Sequence, residues 1–127
     1  MELRIDPHPS NGELNALWQA AWSDPDMRDF RPVLCRSLAH VGAYRDERLI
    51  GFVNVAWDGG IHAFLLDTCV HPTFRHQGVA TALVKAAKDC VQARGVHWLH
   101  VDFEPRLAEF YRDCGFVPTS AGVIRLA

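Results

Sequence analysis

The feature that most constrains the fold is an amphipathic segment at residues 78–94, which lies between two apolar segments. One helical face carries its apolar residues, Ala80, Leu83, Val84, Ala87 and Val91. Gly95 follows as a typical helix C-cap. The flanking residues 61–70 and 96–103 are rich in Leu, Val and Phe and predict strands. This order predicts a βαβ unit with two parallel strands.

Upstream of this unit the sequence predicts an antiparallel meander. Residues 40–45 and 49–57 read as two strands joined by a turn at Asp46-Glu47. The run Asp58-Gly59-Gly60 is a strong hairpin signal before the strand at residues 61–70. Three consecutive antiparallel strands therefore precede the long helix.

The two ends of the chain carry shorter elements. A helix capped by Ser10 or Asn11 is predicted first, and a second one at residues 30–38. After the last βαβ strand, we expect a short helix at residues 106–114 and one or two strands within residues 116–126. The sum is an α+β fold in one domain of residues 1–127, with a mixed, mostly antiparallel sheet and helices on both faces.

Composition limits the classes of partner. Hydrophobic residues make up 49% of the chain and the formal net charge is −2, so a packed core is expected and no broad basic surface for nucleic acid or anionic membrane. No apolar stretch reaches the ~20 residues of a membrane span. The cysteines are widely spaced, with no pattern of a disulfide framework or a metal site: Cys35, Cys69, Cys90 and Cys114. The plain interpretation is a cytoplasmic protein without a metal.

The loop between the third strand and the long helix is suited to bind a phosphate. Helix N-termini present unpaired backbone N–H groups and partial positive charge. Gly78 allows close approach of an anion, and Arg75 and His76 add positive charge and donors. The loop has neither the Gly-Lys-Ser/Thr ending of a P-loop nor the glycine spacing of a dinucleotide fingerprint.

This loop resembles the pyrophosphate loop of the GNAT superfamily of acyl-CoA N-acyltransferases. The family pattern has Arg or Gln, two residues, Gly, one residue, and Gly or Ala, which are Arg75, Gly78 and Ala80 here. Val70-His71-Pro72 precedes the loop as in many members. Residues 108–116, which read AEFYRDCGF, look like the family's Ala-x-x-Phe/Leu-Tyr-x-x-x-Gly-Phe segment. The resemblance covers about residues 41–116.

The resemblance implies a cofactor site for acetyl-CoA. Backbone groups of Thr68, Cys69 and Val70 would pair with the pantetheine arm as an added strand does. The Val70 N–H would polarise the thioester carbonyl. The pyrophosphate would lie against the loop and first helical turn, which comprise Arg75, His76, Gln77, Gly78, Val79, Ala80 and Thr81.

The resemblance assigns Tyr111 to assist the leaving thiolate, whereas the base that deprotonates the amine is left open. Asp67 is the only carboxylate on the third strand of the meander, and Glu104 near the end of the next strand is a second candidate. Bound water alone is a third possibility. Pro105 departs from the family, in which many members carry a cofactor-contacting Asn at that position.

These observations favour an N-acetyltransferase that moves an acetyl group from acetyl-CoA to a primary amine by direct attack in a ternary complex. The acceptor is a small-molecule or protein amine of unknown identity. The main alternative is a non-catalytic acyl-CoA-binding sensor or interaction module, and the other is an α+β interaction protein without a cofactor. Exposed sheet edges make a homodimer plausible.

Overall fold

The computed structural model describes residues 1–127, and its elements form one five-stranded sheet with helices on both faces. The strands follow chain order across the sheet: β1 (Glu2–Ile5), β2 (Ala39–Arg45), β3 (Arg48–Trp57), β4 (His62–Val70) and β5 (Trp98–His100). The α-helices are α1 (Asn11–Trp22), α2 (Arg31–Arg36), α3 (Val79–Ala93) and α4 (Ala108–Asp113). Two 3₁₀ turns cover Pro72–Phe74 and Pro105–Leu107.

The strand directions confirm the mixed, mostly antiparallel sheet. The three pairings from β1 to β4 are antiparallel. The last pairing, of β4 with β5, is parallel and runs from His62↔Trp98 to Phe64↔His100. The unit β4–α3–β5 is therefore the expected βαβ unit, and β5 is the edge strand of the sheet.

Helices α3 and α1 cover opposite faces of the sheet. Neighbouring residues of a strand point to opposite sides, so adjacent residues of β3 contact different helices. The amphipathic face of α3 packs on one side, where Leu83 and Val84 join Val53 in the larger apolar cluster. On the other side, Trp18 of α1 packs with Phe52 of β3 in a second cluster.

Local sequence signals explain where α1 and α2 begin and end. Ser10 caps α1 with a capping box, in which its hydroxyl accepts from the Glu13 N–H at 3.1 Å and the Glu13 carboxylate accepts from the Ser10 N–H at 3.0 Å. Helix α2 covers Arg31–Arg36 and is shorter than the predicted span of residues 30–38, because the backbone is already extended at Ser37. None of the helices has the length and hydropathy that crossing a bilayer requires.

Three predictions about strands differ from the structure. Residues 116–126 form no strand: Pro118 lacks a ladder donor, and the apolar Val117, Val123, Ile124 and Leu126 are largely exposed. Strand β5 covers three residues rather than the predicted residues 96–103, because its only neighbour, β4, pairs with it over a short stretch. Strand β1 was not predicted, and its four residues are held by pairing with β2.

A buried histidine on β2 makes the stability of this fold depend on pH. His40 is 1% exposed, its Nε2 accepts from the His8 N–H at 3.0 Å, and its Nδ1 has no hydrogen-bond partner. Burial lowers the pKa of His40 from 6.5 to about 4, helped by His8 and Arg94 and opposed by Asp6. In the unfolded chain the His40 imidazole is therefore protonated near pH 6.5, whereas in the folded chain it is protonated only near pH 4.

We expect this histidine's contribution to be complete above pH 6.5 and to be lost as the pH falls toward 4. The loss in the free energy of unfolding should be roughly 2 to 3 kcal/mol. Urea unfolding at several pH values gives the slope of the free energy of unfolding against pH. We compare this slope for the wild type and for His40→Gln, whose amide oxygen can still accept a hydrogen bond from the His8 N–H. The exposed His97→Gln is the matched control. Equal slopes for the wild type and His40→Gln would contradict the assignment.

Candidate active site

The site begins where β4 bulges and leaves β5. Asn54 of β3 pairs with Leu66, whereas Phe52 pairs with Cys69, so β4 has one residue more than β3 between these two pairs. The extra residue lies at a β-bulge in which Asp67 adopts a left-handed conformation, with φ of 59°. Since β5 pairs with β4 only as far as Phe64, the β4 edge beyond the bulge has no neighbouring strand on that side.

The backbone of Val70 faces this unpaired edge. The His71 N–H donates to the Ile50 carbonyl of β3 at 2.7 Å. Successive N–H groups of a strand point to opposite sides, so the Val70 N–H points away from β3. The strand therefore offers its backbone groups to an added extended ligand next to Thr68 and Val70.

The loop before α3 keeps the first turn of that helix open. His71 caps the 3₁₀ turn, because its Nδ1 accepts from the Thr73 N–H at 3.1 Å. Gly78, with φ of 79°, is the N-cap of α3, and no side chain caps the first-turn N–H groups. A Cβ at Gly78 would meet no atom within 4 Å. Accessible backbone donors at the start of a 15-residue helix fit the pyrophosphate of an acyl-CoA.

The Arg75 side chain has a different partner in this structure. Its Nη2 donates to the Ala21 carbonyl in the last turn of α1 at 3.0 Å. The guanidinium therefore fastens α1 to the loop that precedes α3. His76 and Gln77 are exposed between Arg75 and Gly78, and His76 has a left-handed φ of 62°.

Tyr111 of α4 lies in an aromatic cage beside β4 and the residues that follow β5. Its ring stacks on Phe103 at 4.8 Å and meets Phe110 edge-on at 4.9 Å. Burial raises the pKa of the Tyr111 phenol, an interaction with the Thr68 side chain lowers it in part, and Cys114 and, to a smaller extent, Asp102 raise it further. The phenol therefore keeps its proton at neutral pH and remains a hydrogen-bond donor.

The two candidate bases lie in different environments. Asp67 makes no hydrogen bond, and although part of its surface is accessible, desolvation by the surrounding protein raises its pKa, with Arg28 opposing the shift. Glu104 is exposed and ion-paired with Arg106 at 2.9 Å. The raised pKa makes Asp67 a better proton acceptor than an ordinary aspartate.

Other polar residues of the site region have plainer roles. Cys69 is buried, and burial raises the pKa of its thiol, so it stays protonated and packs as an apolar residue. Pro105 begins the 3₁₀ turn that leads into α4, a position where a missing N–H costs little. No three His, Cys, Asp or Glu side chains are grouped so that they could hold a metal ion.

Sequence reasoning missed Asp102, which precedes Phe103, the residue that stacks on Tyr111 at 4.8 Å. The pattern did contain a usable signal, because Asp102 follows His100 and Trp98 at a spacing of two residues and so continues their face beyond β5. The stacking of Phe103 on Tyr111 depends on the return of α4 against the sheet.

The fold and the loop sequence are those expected of a member of the GNAT family. The family described as Acetyltransferase (GNAT) family matches residues 9–116, so the chain belongs to this family of transferases. That match confirms the resemblance based on Arg75, Gly78 and Ala80.

Sequence relatives carry acetyltransferase names. The chain is 29% identical to GCN5-related N-acetyltransferase 1, chloroplastic, of Arabidopsis thaliana over 62% of the chain and 40% of that protein. It is 28% identical to an uncharacterized ycf52-like N-acetyltransferase of Prochlorococcus marinus over 82% of the chain and 61% of that protein. The chain thus spans less than two thirds of the length of either relative.

Solved structures share the fold over nearly the whole chain. A probable acetyltransferase from meticillin-resistant Staphylococcus aureus has a TM-score of 0.81 at 21% identity, covering 99% of both chains. The aminoglycoside N-acetyltransferase AAC(6')-Iy in complex with CoA has a TM-score of 0.76 at 21% identity, covering 99% of this chain and 93% of that one. These similarities confirm the α+β architecture.

Proposed function

We propose that the protein transfers an acetyl group from acetyl-CoA to a primary amine by direct attack within a ternary complex. The observation that carries the proposal is the open first turn of α3 at Gly78, adjoining the unpaired edge of β4 at Val70. The edge of β4 would bind the extended pantetheine arm, and the first turn of α3, which follows it in the chain, would bind the pyrophosphate. Bound acetyl-CoA would supply a thioester carbon to which the amine nitrogen bonds as the carbon–sulfur bond breaks.

Backbone groups of this chain bind acetyl-CoA and polarise its thioester carbonyl. The first-turn N–H groups of Gly78, Val79, Ala80 and Thr81 donate to the pyrophosphate, and Arg75, His76 and Gln77 surround it. The edge from Thr68 through Cys69 to Val70 pairs with the pantetheine arm. The Val70 N–H donates to the acyl oxygen, where negative charge develops during attack.

Proton movement involves an acceptor for the amine and a donor for the thiolate. A primary amine with a pKa near 10.4 is neutral in roughly one molecule per thousand or fewer at pH 7, which costs about 4 kcal/mol unless the site helps. Asp67, whose pKa is raised, accepts that proton directly or through a water. Tyr111 donates a hydrogen bond to the departing sulfur. Since burial raises the pKa of the phenol further above that of a thiol, ~8.5, the bond stabilises the thiolate without complete proton transfer.

A two-part measurement tests the proposal. Calorimetry with acetyl-CoA measures cofactor binding, and thiol release over a panel of primary amines measures turnover. We expect binding at micromolar concentrations and thiol release that depends on the amine. Binding without amine-dependent release would favour the non-catalytic acyl-CoA module, and the absence of binding would exclude both.

A further inference from the structure

A large cavity opens beside β4 and β5, on the same face of the sheet as α1. Its volume is about 880 Å³, and 12 of its 17 lining residues are hydrophobic. β4 contributes Phe64 and Leu66 to its walls, β5 contributes Trp98 and His100, and residues 115–123 contribute part of the remaining wall. A cavity of this size suits a small organic molecule.

The aromatic wall of the cavity is held in place by contacts within the sheet. The Phe64 ring stacks on the His100 ring at 4.8 Å with an interplanar angle of 21°. The His100 Nε2 in turn lies 2.9 Å from the His62 Nδ1, which fixes the imidazole across the β4–β5 pair. Beside them Trp98 is 63% exposed, which is unusual for so large an apolar side chain.

One carboxylate lines this largely apolar cavity. Asp102 is its only acidic residue, no Lys or Arg lines it, and Asp102 forms no salt bridge. An unpaired carboxylate at the margin of apolar walls is complementary to a single cationic group. A ligand with several separated positive charges would find one anionic partner and would have to leave its other charges against apolar surface.

The cavity borders aromatic side chains that pack around Tyr111, which does not itself line it. Phe103 lines the cavity and stacks on Tyr111 at 4.8 Å, and Phe116 lines it and meets the same ring at 5.8 Å. The charge of Asp102 acts on the Tyr111 phenol. Phe103 and Phe116 are therefore the contacts that connect the cavity with the residue assigned to the leaving thiolate.

We propose that this cavity is the acceptor pocket and that it takes a primary amine with an apolar, preferably aromatic, body, whose ammonium group Asp102 holds. The assignment rests on the proposed acetyl transfer. Phe64 and Trp98 bury the body of the amine, and Asp102 keeps the nitrogen at the Tyr111 end of the cavity. In this arrangement Asp102 positions the amine, and Asp67 or a water takes its proton.

Acetylation kinetics with matched amines test the acceptor class. Phenethylamine, ethanolamine and spermidine are compared with the full chain at saturating acetyl-CoA. We expect kcat/KM for phenethylamine to exceed that for each of the other two by about tenfold or more, since burying a phenyl ring contributes on the order of 1.5–3 kcal/mol. Binding of phenethylamine is also followed directly by saturation-transfer NMR. No binding at about 10 mM, far above usual KM values, overturns the pocket assignment whatever the turnover.

Two variants test the residues, each with a matched control. Asp102→Asn should raise KM for phenethylamine by about tenfold or more by removing a charge-assisted contact, with the Kd for acetyl-CoA unchanged. Asp113→Asn on α4 makes the same charge change away from the cavity. Trp98→Ala should raise KM for phenethylamine more than for ethanolamine, with Trp57→Ala as its control.

The outcomes separate the two proposals. Thiol release that favours spermidine or ethanolamine, or a KM that neither Asp102→Asn nor Trp98→Ala changes, overturns the acceptor pocket and leaves acetyl transfer in place. Failure to bind acetyl-CoA overturns acetyl transfer, and with it the acceptor role of the cavity. Phenethylamine binding that Asp102→Asn weakens would then identify the cavity as an amine site without that role.

Discussion

Gly78→Asp should weaken acetyl-CoA binding by at least about 100-fold, because a carboxylate would then stand where the pyrophosphate approaches α3. Two unit charges 4 Å apart near a protein surface interact by about 4 kcal/mol, and a pyrophosphate carries more than one charge. The fold should persist, since the new Cβ meets no atom within 4 Å and Asp tolerates a left-handed φ better than most residues. Calorimetry with acetyl-CoA measures the loss.

Two controls separate charge from backbone strain. Gly78→Asn introduces a side chain of the same shape without charge and should weaken binding much less. Gly95→Asp places the same residue at the other end of α3, at a glycine with φ of 93° and equally open surroundings. It should leave the Kd unchanged. Tight binding by Gly78→Asp would contradict the assignment of the loop.

Tyr111→Phe should lower kcat by about 10- to 100-fold and leave the KM for the amine nearly unchanged, because the hydroxyl acts on the departing sulfur and not on the bound amine. The ring is kept, so the stacking on Phe103 and Phe110 persists and the protein should remain folded. Initial rates of thiol release at saturating acetyl-CoA measure the effect. The effect is smaller than that of losing a full acid catalyst, because a phenol of raised pKa donates a hydrogen bond and not a complete proton.

The chain offers a matched control in its only other tyrosine. Tyr44 is also buried, at 5% exposure, but it packs beside Arg4 on β1. Tyr44→Phe removes the same hydroxyl from the second apolar cluster and should leave kcat unchanged. An unchanged kcat in Tyr111→Phe would remove this residue from the mechanism.

The folding units could be predicted wherever the signal is local. The apolar face of α3 and its Gly95 cap set the helix to within a residue at each end, and the strand signals on both sides gave the βαβ unit. The same signals predicted a strand in residues 116–126, where none forms. Apolar residues in an extended segment favour a strand, but the strand forms only where the fold provides a neighbouring strand to pair with.

The conformation of the loop at Gly78 was predictable for the same reason. The pattern of a glycine before an amphipathic helix involves only adjacent residues. It predicts an open helix start, and Gly78 has a left-handed φ and begins a helix whose first turn no side chain caps. The side chain of Arg75 was not predictable, because its partner, the Ala21 carbonyl, lies 54 residues away in the sequence. The roles of Asp67, Tyr111 and the loop residues in catalysis and binding stay predictions.

By itself, the sequence determined the order of elements from α1 to α4 and the helix start that suits a pyrophosphate, because both depend on residues within a few positions of one another. Only the tertiary structure decided that β4 bulges at Asp67 and parts from β5. It also decided that Asp102 lines a largely apolar cavity and that the neighbouring Phe103 stacks on Tyr111. These arrangements depend on the register between strands and on the packing of α4 against the sheet. Both are set by contacts between residues that are far apart in the sequence.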